Sequence, residues 1–191
     1  MGVKEEYDNL YRRGLVWGSE SHGPTRRLAA LARGRVLDIG AGDGRDSIYL
    51  VEKGFDVTAV DASPLGLQKI REWAAEHSKP VRTVVCDARH FDMCQGYDAI
   101  ISYGTLNLMP KADARALIER MQRFTRAGGC NALGFFMRDD AYPSPMEPFE
   151  PGELGGVYDG WDVVSYNEYK RLMCQLPHNS RNWTEILARK T

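Results

Sequence analysis

Residues 36–50, VLDIGAGDGRDSIYL, place three glycines between an apolar, β-branched run and a stretch with helical spacing. Glycine is needed where a backbone turns through positive φ or approaches a ligand too closely for a Cβ. The stretch therefore predicts a strand, a tight turn and a helix, the opening unit of an α/β fold. Its spacing narrows the ligand. Gly40, Gly42 and Gly44 give G-x-G-x-G followed by Arg45, whereas a dinucleotide turn reads G-x-G-x-x-G and needs its third glycine at position 45.

The rest of the chain continues the alternation. RVLDIG (35–40), FDVTAVD (55–61), PVRTVVCD (80–87), YDAIISYG (97–104) and CNALGFFM (130–137) read as strands. Helices are expected over 45–54, over 63–77 with Ser63 as N-cap and Pro64 in the first turn, and over 111–129, ended by a glycine pair. WDVVSYNEYKRLM (161–173) and NWTEILARK (182–190) read as a closing antiparallel pair joined by CQLPHNS. Parallel neighbours require crossover helices, so the expected fold class is α/β, a doubly wound, mostly parallel sheet in a single domain over 1–191.

In such sheets ligands bind outside the carboxyl ends of the strands, and the residues closing those strands are candidates. Asp38, two positions before Gly40, suits an ammonium rather than a pyrophosphate. Asp61 stands where a carboxylate accepts both ribose hydroxyls, and Asp87 where one accepts an adenine amine with the Ala88 backbone facing the ring. Ammonium, ribose and adenine together describe S-adenosylmethionine better than NAD. The candidate cofactor set is Trp17, Asp38, Gly40, Ala41, Gly42, Gly44, Asp61, Ala62, Asp87, Ala88, Ser102 and Tyr103. Arg45 either grips the methionyl carboxylate or makes a surface salt bridge.

LDIGAGDGRDSIYL, VTAVDASP, VVCDAR and YDAIISYGTLNLM resemble motif I and its successors in class I S-adenosylmethionine-dependent methyltransferases. The ending, PFEPGELGGVYDGWDVVSYNE with ILARK, is similar to the tellurite-resistance (TehB-like) members, near the thiopurine methyltransferase branch. The resemblance implies a seven-stranded sheet with a reversed last strand, bound S-adenosylmethionine and methyl transfer to a small acceptor such as a tellurite or selenite oxyanion or a thiol. Two other functions stay open: a regulatory module that holds the cofactor without catalysis, and an NAD-dependent oxidoreductase.

Acceptor-side candidates are Asn107, Arg138, His178 and Arg181, the last three as donors to an oxyanion. The resembled family carries a His-Arg pair and a further Arg in its last hairpin, whereas this chain is shorter there and keeps only His178 and Arg181. Asn107 either reaches the acceptor or starts a helix beside Pro110. SYGTLNLMP (102–110) lacks the Asn/Asp-Pro-Pro-aromatic signature of enzymes that methylate base amines. With 25 basic and 26 acidic residues and net charge −1, the chain also lacks the basic footprint of a nucleic-acid binder. Two segments are expected to cover the site: a helical cap over 1–34, with Tyr11, Trp17 and His22 over the cofactor or packed in the core, and a proline-rich stretch over 139–160, either a lid or a connector. No apolar run approaches the ~20 residues of a membrane span. The four cysteines lack C-x-x-C spacing and the four histidines are scattered, so no metal is expected. These features predict a cytoplasmic monomer or homodimer acting on a small molecule.

Overall fold

The computed structural model describes residues 3–13, 17–18, 20–141, 144–173 and 176–191, with the backbone only for residues 3, 173 and 176–179. Two helices, α1 (Val3–Arg12) and α2 (Gly23–Leu31), precede the alternating core. That core runs β1 (Arg35–Ile39), α3 (Arg45–Glu52), β2 (Asp56–Asp61), α4 (Pro64–Glu76), β3 (Arg82–Val85) and β4 (Tyr97–Tyr103). It continues with α5 (Lys111–Phe124), β5 (Thr125–Phe136), a short α6 (Glu153–Val157), β6 (Asp162–Met173) and β7 (Leu176–Arg189).

The seven strands form one sheet in the order β3-β2-β1-β4-β5-β7-β6, with β7 antiparallel to both neighbours. The sheet order reverses between β1 and β4, which places the ligand crevice at the carboxyl ends of those two strands. Both faces are covered, as the continuous apolar strands require. One core layer joins Leu37, Ile39, Ile100, Leu133 and Phe135 to α5 through Leu117, Ile118 and Met121. The opposite layer joins Val36, Ala99, Ile101 and Ala132 to Leu28 of α2 and Leu50 of α3. Ser63 caps α4 by accepting from Gly66 N at 3.1 Å, with Pro64 in the first turn as expected.

The helix expected to run to 129 stops earlier. Thr125 Oγ1 donates to Met121 O at 2.7 Å, and the backbone passes directly into β5. The glycine pair instead serves an irregularity within that strand: pairing to β4 jumps from Tyr97↔Thr125 to Ala99↔Cys130, and a Cβ on Gly129 would stand 2.8 Å from Asp98 O. Much of the CQLPHNS joint is also strand, since β7 begins at Leu176; residues 174 and 175 lie outside the described ones.

The stretch over 139–160, expected as either a lid or a connector, packs against α5 in its described residues. Phe149, Leu154 and Tyr158 are buried in the α5-side core, and Glu153 accepts from Lys111 Nζ at 3.0 Å and pairs with Arg115. None of the described residues in this stretch faces the crevice. Apolar anchors and two cations fix it as a buttress for α5. Described residues of the N-terminal segment do line the crevice, among them Tyr7, Tyr11 and Trp17.

Candidate functional site

The turn after β1 is held on both sides. Gly40 N and Ala41 N donate to Val60 O of β2 at 2.8 and 3.0 Å. Gly40 and Gly42 have φ of +77° and +57°, in the region L side chains avoid. A Cβ on Gly40 would lie 1.7 Å from Thr105 Oγ1, and one on Gly42 2.7 Å from the Tyr11 hydroxyl. The turn is thus a cradle with room only for backbone. It floors a cavity of about 680 Å³, within the range of small-molecule sites.

Three strand-end acids enter the cavity in different electrostatic states. Asp38 is 3% exposed and accepts from Ser47 Oγ at 2.6 Å. Burial, then the neighbouring Asp46 carboxylate, push its pKa up to about 8. Burial thus favours its neutral form, and a cation placed beside it would favour the ionised one. Asp61 accepts from Gly42 N at 2.8 Å and Ser63 N at 2.7 Å, one on each oxygen. Burial raises its pKa, while those two amides oppose the rise and fix the carboxylate plane. Each oxygen keeps a lone pair for a hydroxyl. Asp87 is gripped by its near neighbour Arg89, with Nη2 2.6 Å from Oδ2, and this pairing holds its pKa below the usual range.

The cover comes from α1 and the segment after it. Tyr7, Tyr11 and Trp17 all line the cavity; Trp17 Nε1 donates to the Tyr11 hydroxyl at 3.2 Å, and the Tyr7 and Trp17 rings lie 5.8 Å apart. Buried Asp8 accepts from Ser63 Oγ and from Lys4 Nζ, tying the helix to the N-terminus of α4.

The cavity also has an aromatic and cationic wall. The His22 ring stacks on Tyr103 at 4.0 Å with an interplanar angle of 2°, and Trp183 lies beyond at 6.1 Å. Arg171 Cζ sits 4.2 Å from the Trp183 ring centroid, and Arg181 Cζ 4.8 Å from that of Phe136. Arg45, at the start of α3, reaches back to Glu20 O and lies on the cavity wall. His22 Nδ1 is 2.6 Å from Asp46 Oδ2, which makes the two acids near the turn unlike each other. Burial disfavours the Asp46 charge, but His22 and Ser21 outweigh it and hold the pKa low.

Of the residues singled out from sequence, Trp17, Asp38, Gly40, Ala41, Gly42, Asp61, Ala62, Asp87, Ala88, Tyr103, Asn107 and Arg181 line this one cavity. Three do not. Gly44 turns into α3 with φ +95° and packs against Ile70; Ser102 is fully buried and donates to Ile39 O at 2.9 Å; Arg138 pairs with Glu150 outside the site. The His178 side chain lies outside the described residues. Asn107 sits in a 3-10 turn, Leu106–Leu108, rather than starting a helix, and its Oδ1 accepts from Phe136 N at 3.5 Å. Asp46, Phe136, Arg171 and Trp183 also belong to the site and were not singled out. The Arg-Asp pair after the glycines was the signal available for Asp46.

The strand order, the reversed β7 and the acid-lined glycine cradle define a class I methyltransferase fold. A family model described as "Tellurite resistance protein TehB" matches residues 20–186, and the chain belongs to that family. It is 30% identical over 163 residues, 82% of its length, to the "Probable S-adenosyl-L-methionine-dependent methyltransferase TehB" of Haemophilus influenzae (strain 10810). The chain spans 57% of that relative's length. It is also 36% identical over 107 residues to the glycine/sarcosine N-methyltransferase of Aphanothece halophytica, covering 54% of this chain and 40% of that one. Among solved structures, TehB from H. influenzae superposes with TM-score 0.81 at 24% identity, covering 98% of this chain and 67% of that one. The Burkholderia thailandensis 1,6-didemethyltoxoflavin-N1-methyltransferase, solved with S-adenosylhomocysteine, gives 0.71 at 24% identity, covering 99% and 87%. These likenesses carry the fold.

Proposed function

We propose that the chain binds S-adenosylmethionine over the glycine cradle and transfers its methyl group to a small anionic acceptor. The observation that carries this reading is one cavity lined by the glycine cradle and strand-end acids together with aromatic rings and arginines.

Asp61 accepts the ribose hydroxyls, Asp38 the ammonium, and Asp87 the adenine amine through the lone pairs Arg89 leaves. Arg45 faces the methionyl carboxylate. Tyr7, Tyr11 and Trp17 exclude water from above. When bound, S-adenosylmethionine supplies an electrophilic methyl group already activated on a sulfonium. The protein's part is then to place the acceptor in line with it and keep the space dry. Arg171 and Arg181, each within cation–π distance of a ring on the cavity wall, supply the guanidinium chemistry suited to carboxylate and oxyanion recognition. Selenite, tellurite and thiol acids fit this description. NAD fits the turn less well, because a long Arg45 stands where the dinucleotide pattern has glycine.

The test is release of S-adenosylhomocysteine across tellurite, selenite, thiol acids, neutral thiols and phenols. Turnover is expected for anionic members. Arg171→Ala should raise KM for them by about 10- to 100-fold, the scale of a lost charged hydrogen bond, and leave neutral acceptors unchanged. Cofactor binding with no turnover across the panel would favour a regulatory holding role instead.

A further inference from the structure

We propose that His22 is the general base of the transfer, aimed by Asp46, and that the acceptor is a small acid whose nucleophile carries a proton, a mercapto or hydroxy acid. This rests on the methyl-transfer reading above and narrows its substrate.

His22 caps the N-terminus of α2 in extended backbone. Its backbone N donates to Asp46 Oδ1 at 2.9 Å, Ser21 Oγ donates to the same oxygen at 2.7 Å, and the ring Nδ1 lies 2.6 Å from Oδ2. Asp46 is 5% exposed in the first turn of α3, where the helix dipole and three donors stabilise the carboxylate. A carboxylate can only accept, so the proton between them sits on Nδ1.

The other nitrogen reports the same tautomer independently. Nε2 lies 3.2 Å from Arg171 Nη2 and 3.5 Å from Arg45 Nη1. Guanidinium groups only donate, so Nε2 presents a lone pair, and it presents it on the cavity side. Stacking on Tyr103 fixes the ring plane. Anchoring the N-terminal segment to α3 needs only the backbone and Ser21 bonds to Asp46. A ring aimed into the cavity by its own oxygen of that carboxylate is an addition with a chemical use.

The charged and titratable groups facing the ring are Asp46 and Arg45 from α3, Arg171 from β6 and Tyr103 from β4; Trp183 of β7 brings no charge. Burial first, then Arg45 and Arg171, lower the imidazole pKa against the pull of Asp46, so the ring is neutral at pH 7. The methionyl carboxylate of the cofactor takes up Arg45, and an entering acceptor carboxylate draws Arg171 onto itself. That frees the Nε2 lone pair and restores its basicity at the moment a substrate is present. In the transfer, the acceptor's S–H or O–H bond gives its proton to Nε2, the acceptor heteroatom forms the bond to the methyl carbon, and the C–S bond of the sulfonium breaks with its electron pair kept on sulfur. Asp46 holds the resulting imidazolium.

Two measurements on the full chain test this. Calorimetry with S-adenosylhomocysteine checks the cofactor site, and turnover is compared between 3-mercaptopropionate, which must lose a thiol proton, and selenite, which attacks through a lone pair. In His22→Gln, S-adenosylhomocysteine affinity should stay within about twofold, and in both His22→Gln and Asp46→Asn kcat with 3-mercaptopropionate should fall by ~10²–10⁴-fold and its rise with pH should lose the His22 limb. Selenite turnover should fall far less. Equal loss with both acceptors, or an unchanged pH profile, overturns the proposal. Imidazole NMR of the wild-type protein with S-adenosylhomocysteine keeps the test open if a variant fails to fold: 3-mercaptopropionate should raise the His22 pKa with Nδ1 still protonated, and no response overturns it. Failure of the wild type to bind S-adenosylhomocysteine overturns the methyl-transfer reading and this one together; binding with intact variant turnover overturns this one alone.

Discussion

Asp38 and Asp46 occupy one buried neighbourhood and end in opposite states because their partners differ. Asp38 has Ser47 as its side-chain donor and faces a second carboxylate, whereas Asp46 has His22, Ser21 and a helix start. Asp38 therefore stays protonated in the folded chain up to about pH 8, although an unfolded aspartate ionises near 4. Its contribution to stability is full below the unfolded value and is lost as pH rises through about 8. Asp38→Asn should flatten the fall in ligand-free Tm between pH 6 and 9, and weaken S-adenosylmethionine binding by about 10- to 100-fold. A pH–Tm curve identical to wild type would show that Asp38 ionises freely. The glycine cradle and Asp61 were legible in the sequence because backbone geometry dictates glycine and the strand end dictates the acid. Ser102 and Arg138 do not line the cavity, and residue type does not say where a side chain's hydrogen bonds go: Ser102 donates to Ile39 O, and Arg138 pairs with Glu150.

At the scale of elements, helices and strands followed from periodicity, and two covering segments, 1–34 and 139–160, were marked without a choice between them. Proline content marked 139–160, while the deciding interactions are distant in sequence: Glu153 with Lys111 and Arg115, and Phe149 with Phe135 at 5.0 Å. In α1 the deciding contacts are likewise remote, from Asp8 to Ser63 and from Tyr11 to Gly42. Hydrogen exchange should show the amides of α1 gaining protection on adding S-adenosylhomocysteine, with 144–160 unchanged. Glu153→Ala should cost about 1 kcal/mol of stability, the upper end for a partly exposed ion pair, and leave cofactor affinity intact. Protection appearing in 144–160 would return the lid role to that stretch. The α5–β5 boundary was misplaced for a related reason: the glycine pair that resembles a helix stop answers to pairing with β4, a partner some thirty residues away.

For the whole molecule, topology does most of the positioning. The order reversal between β1 and β4 opens the crevice, parallel strands bring Asp38, Asp61 and Asp87 to the cavity, and the antiparallel β6–β7 hairpin carries Arg171, Arg181 and Trp183 to its wall. Among the described residues no helix is long and apolar enough to cross a membrane. The central claim is that the acid-lined cradle holds S-adenosylmethionine, and calorimetric titration of wild type and Asp61→Ala with S-adenosylmethionine and NAD tests it most directly. The account predicts one site for S-adenosylmethionine, weakened by about 1–3 kcal/mol in the variant, and no comparable heat with NAD. Tight NAD binding without a response to S-adenosylmethionine, or an Asp61→Ala affinity equal to wild type, would contradict it.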